Sequence, residues 1–146
     1  MKSIVVYESV YGNTRTIAEA IAAALPGEVR LQNVAAASVA GLETGDLLVV
    51  GAPTYGGRPT EATQGFLDRL AADSLAGVRV AGFDTRLTAR WVRIFGYAGP
   101  RIEAALQAKG GTPTGSPGGF FVNGKAGPLA DGEKERAAAW AKGIAG

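Results

Sequence analysis

Two short runs in this sequence lack any alternation of apolar and polar residues: Ser3–Glu8 (SIVVYE) and Leu47–Gly51 (LLVVG). A strand with one face in water alternates; a strand that does not must be covered on both faces, as in a parallel sheet enclosed by helices. The remaining pattern agrees with that constraint. From Asn13, residues Ile17, Ala20, Ile21, Ala24 and Leu25 recur at helical spacing until Pro26-Gly27 stops them. Glu28–Val34 alternates, with Val29 and Leu31 on one side and Arg30 and Gln32 on the other, which suits an edge strand. Ala35–Gly45 is alanine-rich and is expected to hold a short helix.

Farther on, Pro59 stands where a helix can begin, with Phe66, Leu67 and Leu70 on its apolar side. Val78–Phe83 reads as a strand, Ile102, Ala105, Leu106 and Lys109 as a helix closed by Gly110-Gly111, and Phe120–Val122 as a last strand. Ala137, Trp140, Ala141 and Ile144 mark a terminal helix. Strands alternating with helices predict one α/β domain over residues 1–146, built on a five-stranded open parallel sheet with helices on both faces. A chain of this length buries about two-thirds of its unfolded surface and needs no staple.

The chain contains no cysteine and no histidine. That excludes thiol nucleophiles, imidazole bases, Ser-His-Asp triads and the usual zinc and iron–sulfur sites. No metal site and no catalytic side chain are expected. The net charge is +2, yet residues 79–101 carry Arg79, Arg86, Arg90, Arg93 and Arg101 against Asp84 alone. Basic residues concentrated in one stretch do not resemble the spread footprint of a nucleic-acid binder. No apolar run approaches membrane-spanning length and no targeting segment is visible, so a cytoplasmic location is expected, with no membrane partner.

In an open parallel sheet, ligands bind beyond the carboxyl ends of the strands. The first loop there is Ser9-Val10-Tyr11-Gly12-Asn13-Thr14, which opens a helix. Unpaired N–H groups and nearby hydroxyls make such a loop an anion cradle, although the same residues are also ordinary caps and turns. It contains no lysine. Gly119–Lys125 (GFFVNGK) matches a phosphate-loop pattern, but Ala126 stands where a hydroxyl is needed and the stretch contains a strand. Lys125 is therefore set aside with Lys2 and Lys109. Glu133, Lys134, Glu135 and Arg136 are expected to form a solvated helical face.

The run from Val5 to Thr14, followed by Ala18 and Ile21, resembles the flavodoxin signature. That resemblance implies a three-layer fold with strand order 2-1-3-4-5 and an FMN phosphate held by Ser9, Val10, Tyr11, Gly12, Asn13 and Thr14. Pro53-Thr54-Tyr55-Gly56-Gly57 is similar to the family's loop beside the isoalloxazine ring, which implies stacking by Tyr55 and a peptide flip at Gly56. Asp84, Thr85 and Arg86 would border the ring's other side, in a loop following the fourth strand. Leu87 falls where the family places a second stacking aromatic, and Trp91 or Tyr97 is a candidate replacement. The implied function is FMN-dependent electron transfer; alternatives are an NAD(P)H:quinone-type reductase and a binding domain without flavin. Arg86, Arg90 and Arg93 imply docking by an acidic redox partner or a phosphate-bearing acceptor.

Overall fold

Ile4, Val5 and Val6 are all fully buried, because β1 (Lys2–Tyr7) runs through the interior of a sheet with helices on both faces. The computed structural model describes residues 1–55, 57–88 and 96–146. β1 pairs in parallel with β2 (Glu28–Asn33) on one side and β3 (Leu47–Pro53) on the other. β3 in turn pairs with β4 (Arg79–Leu87). The fifth position is filled by two pieces: β5 (Thr112–Pro113) lies beside Arg79 and Val80, and β6 (Gly118–Val122) beside Phe83 to Leu87. Pro113 and Pro117 have no N–H to give a ladder, which accounts for the break. The strand order is 2-1-3-4-5, as expected.

Alternate residues of each inner strand feed two cores. Ile4, Val6, Leu48, Val50 and Val80 meet Phe66, Leu67, Ile102 and Leu106 from α2 (Glu61–Arg69) and α3 (Ala98–Ala108). Val5, Tyr7, Val49 and Phe83 meet Ile17, Ile21, Ala137 and Ile144 from α1 (Asn13–Ala24) and α4 (Glu133–Ala145). Each fully buried large aliphatic side chain contributes roughly 1.5–3 kcal/mol. In the second core Phe83, Phe120 and Trp140 form an edge-to-face group with centroids 6.0–6.3 Å apart. The Phe83 ring lies where a side chain on Gly51 would stand, so that glycine is required by close approach.

The structure departs from expectation in four places. Residues 83–87 are not a loop: they extend β4, since β3 offers partners up to Thr85 and β6 up to Leu87. Ala35–Gly45 holds no α-helix; the chain makes only a 3-10 turn at Val34–Ala36, capped by the Asn33 side chain. α2 begins two residues after Pro59, with Thr60 at its N-cap. Finally, Glu133 is buried, 4 % exposed, and accepts the Phe121 N–H at 2.6 Å while pairing with Arg136. It ties α4 to β6, whereas Lys134 and Glu135 are exposed as expected. Among the described residues, no helix is long and apolar enough to cross a membrane.

Candidate functional site

The carboxyl ends of β1, β3 and β4 open into a cleft of about 360 Å³. Its lining includes Ser9, Val10, Tyr11, Asn13 and Thr14 from the first loop and Pro53, Thr54, Tyr55 and Gly57 from the second. Thr85, Arg86 and Leu87 line it from the end of β4. Val10, Tyr11 and Tyr55 are among the few large apolar side chains exposed on the described surface, at 56 %, 49 % and 37 %. Aromatic and aliphatic surface gathered around a concave site is what a flat organic ligand would cover.

The loops are fixed to one another by side chains from the sheet. Thr14 and Thr85 share a buried hydroxyl–hydroxyl bond of 2.8 Å, which joins the first loop to β4. Glu8, just past β1, accepts the Thr63 N–H at 3.1 Å and the hydroxyls of Thr60 and Thr63, so it caps α2 from a distant strand. The Thr54 hydroxyl accepts the Ala98 N–H at 3.0 Å, and the Asp84 carboxylate accepts the Gly99 N–H at 2.7 Å; together they cap α3. α4 carries Glu133 and Glu135 in its first turn.

α1 is different. Its N-cap is Gly12, at φ 93°, with no side-chain cap and no acidic residue in the first turn. Gly12 adopts the left-handed backbone that turns the loop into the helix. The first N–H groups of a helix have no partner inside it, and they carry the positive end of its dipole. In α2 and α3 a carboxylate accepts a first-turn N–H, and the first turn of α4, which also has a glycine N-cap, carries two glutamates; the first turn of α1 has none and borders the cleft. Ser9 braces the turn by accepting the Gly12 N–H at 3.0 Å, which leaves its own proton free to donate.

Tyr55 sits in a tight turn closed by reciprocal backbone bonds with Arg58, 2.9 and 3.0 Å long. Burial, then the neighbouring Tyr11 and Glu8, push its phenol above the ordinary value, so it stays neutral beside the cleft. On the opposite wall, Arg86 makes two 2.7 Å bonds to Asp84 and lies 3.5 Å from the centroid of the Tyr97 ring. Its guanidinium occupies the place of a side chain on Gly119.

Of the residues expected at the site, Asp84 does not line the cleft. It is fully buried and its carboxylate faces Arg86 and the start of α3, a consequence of lying in a strand instead of a loop. Gly12 contributes backbone only, and Gly56 lies outside the described residues, as do Trp91, Arg90 and Arg93. Tyr97 is stacked on Arg86 and is not among the residues lining the cleft, whereas Leu87 stands in its wall. Sequence reasoning missed Val122 and Lys125, both of which line the cleft. The basic tip of GFFVNGK was a signal for Lys125, but only the parallel placement of β6 beside β4 brings it there.

The donor set fits a flavin mononucleotide: a free helix N-terminus and hydroxyls for a phosphate, and a neutral tyrosine facing aliphatic surface for a ring. Comparison with known proteins shows the family. Residues 4–114 match the family model described as "Flavodoxin domain". The chain is 32 % identical to a flavodoxin of Maridesulfovibrio salexigens, over 99 % of this chain and 97 % of that one. A flavodoxin structure from the domain Archaea superposes with a TM-score of 0.81 at 23 % identity, covering 99 % of this chain and 96 % of the other. Oxidised flavodoxin 1 from Bacillus cereus gives 0.77 at 19 % identity, covering 99 % and 97 %. This chain belongs to the flavodoxin family, whose members are typically electron carriers rather than catalysts.

Proposed function

We propose that this protein binds FMN in the cleft and carries electrons through it. The observation that supports this most is the uncapped N-terminus of α1, left without a carboxylate while the other helices have one. Ser9, Thr14 and the first N–H groups of α1 would hold the phosphate. Tyr55 on one side and Leu87 with Arg86 on the other would border the ring. When bound, the isoalloxazine supplies the redox chemistry; the protein supplies binding, orientation and exclusion of water.

An acidic redox partner docking near the cleft belongs to the same proposal. Its support is the basic excess of residues 79–101. Docking is proposed near Arg86, Arg90 and Arg93; Arg86 is paired with Asp84, and Arg79 sits at the other end of β4. The test is a titration of the purified, flavin-free protein with FMN, followed by flavin absorbance and fluorescence. A saturable one-to-one spectral change supports the proposal. An FMN spectrum that stays unaltered at protein concentrations above 100 μM overturns it.

A further inference from the structure

Lys125 stands at the tip of a small hairpin that follows β6. Asn123 donates to the Pro128 carbonyl and Gly127 to the Gly124 carbonyl, each at 2.9 Å, and Val122 bridges to Leu129. The hairpin is seated on the first loop: a side chain on Gly127 would come within 2.7 Å of the Asn13 amide oxygen. The tip is thus held by both of its own backbone bonds and by packing against Asn13. Lys125 lines the same cleft as Ser9, Asn13 and Thr14.

The charges around that cleft are unequal in their freedom. No aspartate or glutamate is among its lining residues, and its cations are Arg86 and Lys125. Arg86 has both carboxylate oxygens of Asp84. Lys125 forms no ion pair among the described residues. The neutral donors are few for a doubly charged phosphate. The Val10 side chain offers none, and Thr14 and Thr85 use one of their two hydroxyl protons on each other.

We propose that Lys125 is the counter-charge for the phosphate of the bound flavin nucleotide, so that this chain selects phosphorylated over unphosphorylated flavin by charge as well as by hydrogen bonds. The inference rests on the proposed binding of FMN in this cleft. Because the hairpin is built by backbone bonds and Lys125 is exposed, its replacement leaves the fold intact.

The experiment measures dissociation constants for FMN and for riboflavin with the wild-type chain, Lys125→Gln and Lys125→Arg, at low and high salt. A charge-assisted contact at a partly exposed site predicts that Lys125→Gln weakens FMN binding about 5- to 20-fold. Riboflavin binding should change by less than about two-fold, since it has no phosphate to contact. Added salt should weaken FMN binding to the wild type more than to Lys125→Gln, and Lys125→Arg should restore most of the affinity. FMN affinity unchanged in Lys125→Gln, or an equal loss for FMN and riboflavin, overturns the inference while leaving the proposed function standing. Failure of the wild type to bind FMN overturns both.

Discussion

Asp84 and Arg86 are two residues apart on β4, so their side chains leave the strand on the same face and meet as a two-point ion pair. Asp84 is fully buried and the Arg86 side chain is 15 % exposed, so removing one partner strands the other charge out of water. Asp84→Ala is therefore expected to lower stability by about 3–5 kcal/mol in urea unfolding. Asp84→Asn, which keeps an acceptor for the Gly99 N–H, should cost less. At this scale the sequence reveals residue type but not neighbourhood. Ser9, Thr14 and Tyr55 were legible because one contiguous loop carries each. Asp84 looked like a loop acid because nothing local shows that β6 will extend the ladder past it. Lys125 and Glu133 depend on contacts between β6, α4 and the first loop, which no local spacing encodes.

At the scale of elements, the helix ends show the site's logic. Glu8 reaches from the end of β1 to cap α2, placing a negative charge at the positive end of that helix. Glu8→Gln keeps an oxygen acceptor but loses the charge, and should cost about 0.5–1 kcal/mol; Glu8→Ala, which orphans the Thr63 N–H, should cost about 1–3 kcal/mol. Both are read from urea midpoints.

α3 carries a liability of the opposite kind. One carboxylate oxygen of Glu103 is buried without a hydrogen-bond partner, and burial raises its pKa above 4.5 despite a bond from the Gly82 backbone. The folded state thus holds this proton more tightly than the unfolded chain does. Stability should fall as pH rises from the unfolded pKa through the raised folded one. Glu103→Gln is expected to be more stable than wild type at pH 7, by up to about 1 kcal/mol, and no more stable below pH 4. Asp46 behaves inversely: the Lys2 and Glu43 N–H groups hold its carboxyl below 3.8, giving stability present above that value and lost as pH falls through the folded pKa. Asp46→Asn should flatten the acid limb of the stability profile.

Strands and helices themselves were largely legible, because unalternating runs and helical spacing are local properties. The split fifth strand and the longer β4 were less so, since pairing partners decide where a strand ends.

For the whole molecule, the basic excess of residues 79–101 is not one surface. Arg79 hydrogen-bonds the carbonyls of Ile144 and Ala145 at one end of the sheet, while Arg86 is neutralised at the other. Arg90 and Arg93 lie outside the described residues, and the proposed docking of an acidic partner is tested on them. Replacing both with glutamate should slow reduction of the FMN-loaded protein by dithionite, an anionic reductant, at low salt, while FMN affinity holds within about two-fold. A loss of FMN affinity would instead place them in the cofactor site.

The central claim is that the free N-terminus of α1 is the anion site of a flavin nucleotide. The most direct measurement is a chemical-shift map of the 15N-labelled protein titrated with FMN. The largest amide changes are expected at Gly12, Asn13, Thr14 and Arg15, with a second group at Tyr55, Gly57 and Leu87. Binding that leaves the amides of residues 12–15 unmoved would contradict the account.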